Sequence, residues 1–365
     1  MAEITREEFK KIYDEKFVPM LEKLEPERVA ILKKAKKWAF IVGISLFLII
    51  GACFLFGFIN SFSSGNEITI DLSAPLKVIL PSVIVAFIVY SAISSPIRTK
   101  LKQEVIPKVL SMYGNLYFSP NTEVISLQEM KSLGLFPSAT TKRTDDVIIG
   151  AHKGFNFVIS ESTLQHSEGS GKNRRTVTDF SGLVVKIQMK KHFTGATVVG
   201  EKGRVSKVRG FDKVELESVD FMKSRDVFAT DQIEARYILT TAFIERLERL
   251  ALSFSAERAK AEAKTKGVGY KHESIQEQPQ ISLPNIGISI GGLSLNLGGL
   301  IGSNIVSASF KEGFAYLYIP SHENFFEVDI HKNLLNFEQY YKIYNELDSI
   351  LSFVEHLNLD SKTGL

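Results

Sequence analysis

The sequence predicts an α+β domain, mostly antiparallel sheet with long amphipathic helices, carried on a two-helix transmembrane hairpin. Three observations predict it. Two long uncharged runs lie in the first hundred residues. A set of short segments rich in Val, Ile, Phe and Thr follows. Two later stripes of apolar residues then recur at helical spacing.

The first uncharged run extends from Trp38 to Asn66, and its most apolar part is WAFIVGISLFLIIGACFLFGFI, residues 38–59. The second, VILPSVIVAFIVYSAISSPI, covers 78–97. A helix of ~20 residues spans ~30 Å, the thickness of a bilayer core. Only a helix satisfies its own backbone in lipid, so each run reads as a span. Pro81 is expected in the first turn of its helix, where a missing N–H is tolerated. A charged segment of 37 residues precedes the first run, too long for the n-region of a cleaved signal.

Lysines 33, 34, 36 and 37 abut the first span, and Arg98, Lys100 and Lys102 follow the second, whereas the connection between them carries only Lys77. That asymmetry predicts both flanks, and both termini, on the cytoplasmic side. The spans carry no Asp, Glu, Lys, Arg or His, which argues against coupled transport by this hairpin alone.

Residues 4–37 are expected to be helical, with Phe9, Ile12, Phe17, Leu21 and Leu24 on one stripe and Pro19 and Pro26 interrupting it. A second amphipathic helix is expected over 99–113. VIIGAHKGFNFVIS, TVTDFSGLVVKIQM, GATVVG and DKVELES read as strands of a meandering sheet, with HSEGSGKNRR as a loop. DQIEARYILT, 231–240, begins a helix in which Asp231 is the N-cap and Glu234 reaches back to close a capping box. Ile233, Tyr237, Leu239, Phe243, Leu247 and Leu250 supply its apolar pattern. The chain ends with the strands SASF and FAYLYIP and a helix from about Asn336, with Asn336 and Gln339 as a further capping box.

KVELESVDFMKSRDVFATDQIEARYILTTAFIERLERL resembles the signature of a bacterial membrane-protein family known as domain of unknown function 3137. The resemblance continues in DVIIGAHKGFNFVISESTL, FSGLVVKIQMKKHFTGATVV and FAYLYIPSHENFFEV. It spans roughly 5–255 and 305–358 and implies an α+β fold and a membrane location, with no reaction attached. The SRDV segment departs from the more aromatic stretch of the family, which weakens the expectation of a strand there.

The domains expected are a helical segment 1–37, a transmembrane hairpin 38–97, an α+β domain 98–255 with 304–365, and an insertion 256–303. In the insertion Ile286, Ile288 and Ile290 alternate with small residues, Gly291-Gly292 makes a turn, and Leu293, Leu295 and Leu297 alternate again. Pairing 290 with 293, 288 with 295 and 286 with 297 puts six apolar side chains on one face. A one-sided ribbon on a polar tether is a candidate for self-association.

The chemistry offered by the sequence is sparse. The single cysteine, Cys53, excludes a disulfide framework. The seven histidines form no metal-binding spacing, and no phosphate or dinucleotide loop is present, so no cofactor or metal is expected. The catalytic candidates are Asp231, Glu234 and Arg236. Between 169 and 213 eleven Lys and Arg stand against Asp179, Glu201 and Asp212. Lys172, Arg174, Arg175, Lys190, Lys191, Lys202, Arg204, Lys207 and Arg209 are candidates for contact with anionic lipid or an acidic partner. No reader motif for nucleic acid accompanies them. The function expected is a non-enzymatic binding or scaffolding module at the membrane surface, bound to lipid, to itself and to other membrane proteins. The alternatives are a membrane-associated enzyme with a carboxylate site and an oligomeric channel or transporter subunit.

Overall fold

A computed structural model describes residues 4–63, 74–205, 210–265, 287–290, 293–296, 305–321 and 324–363. The chain divides into two compact units, 1–108 with 327–342, and 109–326 with 343–365.

In the first unit, α1 (Arg6–Ile12) opens with a capping box, Thr5 and Glu8. A π-helical turn, Tyr13–Phe17, leads into α2 (Val18–Ser63), and α3 (Ala74–Leu110) follows. The sequence placed interruptions at Pro19 and Pro26. The irregular turn instead lies just ahead of Pro19, and α2 continues through Pro26. Likewise Pro81, Pro96 and Pro107 all lie inside α3, so Pro81 is not in a first turn and 99–113 is no separate helix. Both helices are long and apolar enough to cross a membrane. At ~1.5 Å per residue, 46 residues make α2 ~69 Å long and 37 make α3 ~55 Å, well beyond a ~30 Å core.

The polar half of α2 is a packed stalk. Phe9, Phe17, Leu21 and Leu24 are buried as their spacing predicted, Ile12 is only half-buried, and Tyr13 takes its place in the core. Residues 327–342 form a collar on this stalk. Phe337 and Tyr341 lie 5.8 and 5.6 Å from the Phe9 ring, and Tyr340 lies 5.8 Å from Phe17. Arg28, nearly buried, donates to both carboxylate oxygens of Glu25 (2.9 and 2.6 Å) and to the Ile330 carbonyl (2.6 Å). Glu25 also accepts the Leu334 N–H at 3.0 Å. These bonds hold the Glu25 carboxyl below the usual carboxylate range, the Arg28 bond most of all.

The second unit is a nine-stranded, wholly antiparallel sheet. Its strands are β1 (Leu116–Pro120), β2 (Thr141–His152), β3 (Phe155–Glu168), β4 (Arg175–Gln188), β5 (Ala196–Glu201), β6 (Asp212–Lys213), β7 (Arg225–Ala229), β10 (Ser307–Lys311) and β11 (Phe314–Pro320). The order is β1-β2-β3-β4-β11-β10-β5-β7-β6. The hairpin β10–β11 from the C-terminal part therefore fills the middle of the sheet. VIIGAHKGFNFVIS is not one strand but the β2–β3 corner, turned at Lys153 (φ 49°) and Gly154 (φ 84°). Positive φ at both central positions is what a two-residue primed turn requires. DKVELES contributes only the two residues of β6, whereas RDVFA, doubted above, is a fully buried strand. Its charges are accommodated. Asp226 accepts the Gly203 N–H at 2.8 Å, and Arg225 lies 4.7 Å from the Phe221 ring.

Short helices α4 (Leu127–Ser132), α5 (Val219–Ser224) and α6 (Gln232–Ile238) and the long α7 (Thr241–Thr265) and α8 (Phe337–Thr363) complete the fold. Alternation in β10 separates two layers. Phe310 packs on Phe243 of α7, itself 5.8 Å from Phe353 of α8. Ser309 instead donates to Leu133 O after α4, where Met130, Phe180 and Tyr318 form a second core. At Gly182 a Cβ would lie 2.1 Å from the Ile319 carbonyl, so β4 and β11 approach too closely there for a side chain. A separate two-stranded ribbon, β8 (Gly287–Ile290) and β9 (Leu293–Asn296), has the pairing expected, Ile290 with Leu293 and Ile288 with Leu295. Ile286 and Leu297 lie outside the described residues.

Candidate functional site

The acids that begin α6 have structural work. Asp231 accepts the N–H groups of Ile233 (2.7 Å) and Glu234 (3.0 Å), as an N-cap should. Glu234 does not reach back to it. Its two carboxylate oxygens accept Thr194 N–H at 3.1 Å and Gly195 N–H at 2.7 Å, pinning the loop before β5. Arg236 is exposed and donates to Gln232 O (3.2 Å) and Glu215 O (3.4 Å). Each of the three residues thus holds backbone. The single helix expected here breaks at Leu239, whose ψ of 58° ends α6 before α7 begins. Ile233 and Tyr237, assigned to the apolar stripe, are 80% and 46% exposed. The α8 cap is modified in the same way. Asn336 accepts Glu338 N–H at 3.2 Å, while Gln339 accepts Asp329 N–H at 2.8 Å instead of closing a box.

The basic run does not gather into one patch. Arg175 opens β4 and Lys190 and Lys191 follow its end, and a 14-residue strand at ~3.3 Å per residue is ~45 Å long. Lys172 and Arg174 lie at the β3–β4 tip, where Arg174 donates to Ser167 Oγ and Arg175 pairs with Glu168 at 2.7 Å. Lys190 sits over Phe155, and Lys191 over Tyr237, donating to its carbonyl at 3.0 Å. Lys202 donates to Met222 O and Arg204 pairs with Glu201, in the connection after β5. Lys207 and Arg209 lie outside the described residues.

The structure assembles one group of acids that sequence spacing concealed. In the β2–β3 register Thr144 faces Ser162 and Val147 faces Ser160, so Asp145 and Asp146 together oppose Glu161. This two-against-one β-bulge brings carboxylate oxygens of all three within 4.8 Å of one another. Asp146 and Glu161 are buried, and Glu161 accepts Phe325 N–H at 3.2 Å. Oxygens on opposite sides of a calcium ion are separated by a similar ~5 Å, twice a ~2.4 Å bond. Such a group can hold a hard cation, but acids in proximity alone fix no reaction. The sequence signal is a doubled acid in a strand; the register that places Glu161 against it is not local.

Comparison with known proteins supports the resemblance noted in the sequence. The family described as "Protein of unknown function (DUF3137)" matches residues 178–262 and 295–359. The match leaves 263–294 between its two parts unmatched, where the insertion was expected. No curated protein matches the chain. Among solved structures, the mycobacterial trehalose monomycolate transport factor A, TtfA, aligns over 70% of this chain and 96% of its own. The identity is 8% and the TM-score 0.31, a likeness too slight to bear on fold or function.

Proposed function

We propose that this chain is a membrane-anchored binding or scaffolding module of a bacterial inner membrane, with spans near 38–59 and 78–97 and both flanks cytoplasmic. One observation carries the reading. Most exposed large hydrophobic residues of the described chain, from Trp38 to Ile59 and Leu76 to Ile88, lie on α2 and α3. In water such a surface is a liability, and in lipid it is the solvent-matched face. The lysines that end it on one side, and the bonded roles of Asp231 and Glu234, support an anchored module over an enzyme at that site.

Self-association through 286–297 belongs to the same proposal, as does contact of the basic loops with anionic lipid or an acidic partner. The test measures the mass of the full chain in nanodiscs, with and without residues 281–303. Loss of an oligomer on deletion supports the scaffold. A monomeric wild type, or an oligomer unchanged by deletion, discards self-association. A folded, stable Asp231→Asn variant that has lost cellular function favours the enzyme instead.

A further inference from the structure

The two apolar helices leave a groove between them. Its volume is about 540 Å³, and its lining includes Lys36, Gly43 and Phe47 of α2 and Val83, Phe87 and Tyr90 of α3. The helices meet closely at Gly43, where a Cβ would lie 3.1 Å from Ala86 Cβ. Ser82 turns its hydroxyl back to Val78 O at 2.8 Å, so it offers the groove no donor. Lys36 is the one charged residue of the lining, and it is exposed. Tyr90, at the same end, has its hydroxyl 3.3 Å from His331 Nδ1 of the collar.

Charge and depth together specify an occupant. From Lys36 to Phe47 the helix rises ~16 Å, close to half of a ~30 Å bilayer core, the depth of one leaflet. The cationic end lies where the flanking lysines place the cytoplasmic interface, and the apolar remainder points towards the midplane. We infer that this groove binds one acyl chain of an anionic phospholipid of the cytoplasmic leaflet, with its phosphate at the Lys36 ammonium. The inference rests on the anchored reading above.

The test uses the full chain in nanodiscs of phosphatidylcholine with a minor share of phosphatidylglycerol, released into mild detergent for native mass spectrometry of retained lipid. The wild type is expected to retain phosphatidylglycerol selectively. Lys36→Gln should lower that retention about fivefold, the factor that one basic residue at an anionic surface supplies. Lys34→Gln, an exposed neighbour outside the lining, should leave it unchanged, and Val83→Phe, which fills the groove, should lower retention of both lipids. Equal retention of the two lipids, or an equal loss in Lys34→Gln and Lys36→Gln, overturns the inference. So does a second copy of the chain, in place of lipid, that is lost on Val83→Phe. Failure to insert into the nanodisc overturns the anchored reading itself, whereas insertion without selectivity overturns the lipid site alone.

Discussion

The two halves of α2 share one backbone and face different surroundings. Before Trp38 the helix buries a stripe, Leu21, Leu24, Leu32 and Ala35, and turns charge outward. After it, Phe40, Leu48, Leu55 and Phe56 are outward and exposed. The first half obeys the periodicity of a helix packed on protein in water. The second is apolar on all sides, which is the pattern of a helix whose solvent is hydrocarbon. The difference teaches that exposure, not hydrophobicity alone, separates a core helix from a span.

Four perturbations should break or sharpen this contrast. The largest effect is expected at Leu21, fully buried in the stalk. Leu21→Ala should cost about 3–4 kcal/mol in the denaturation of the first unit, as a cavity in a packed site does, while Leu48→Ala should cost little. Next, Leu48 is 62% exposed in the apolar half and Val29 is 49% exposed in the polar half. Leu48→Arg should oppose insertion by about 3 kcal/mol, read as the membrane-integrated fraction, whereas Val29→Arg should change stability by no more than about 0.5 kcal/mol. Equal tolerance of the two would remove the distinction between the halves.

A smaller effect is expected at Arg28. Arg28→Ala leaves the Glu25 carboxylate without its bidentate partner and Ile330 O without a donor, and should cost about 2 kcal/mol. The same pair has a pH signature. The folded pKa of Glu25 lies below its ordinary value of 4.5, so its stabilisation is present above pH 4.5 and is lost as pH falls through the folded value. Acid should therefore loosen the collar from the stalk, followed by hydrogen exchange of Leu334 N–H, and Glu25→Gln should flatten that dependence. The opposite sign holds at His166, raised above 6.5 chiefly by its bond to Asp179 at 2.9 Å. Its contribution is complete below 6.5 and is lost as pH rises through the folded value. The smallest effect belongs to the cap, where Asp231→Ala should cost about 1 kcal/mol and Asp231→Ser much less in thermal unfolding.

What was legible in the sequence follows the range of the forces involved. The two long apolar helices, the Phe9–Phe17–Leu21 stripe, the Asp231 cap and the Ile290–Leu293 pairing rest on neighbours within a few residues, and local pattern reveals them. Glu234 could not be read the same way, because Thr194 and Gly195 lie about forty residues before it and only folding brings them close. The insertion of β10–β11 beside β4, the bulge joining Asp145 and Asp146 to Glu161, and the collar at 327–342 are long-range pairings of this kind. The basic run shows the converse. Residues close in sequence along a long strand and its loops end far apart in space.

The central claim is that α2 and α3 cross a membrane and return the chain to the side from which it came. The most direct measurement places a compartment-sensitive reporter after residue 65, in the connection between the helices, and in a second fusion after residue 365. The account predicts opposite sides, with the reporter at 365 in the cytoplasm and the one at 65 outside it. Both reporters on the same side would contradict it.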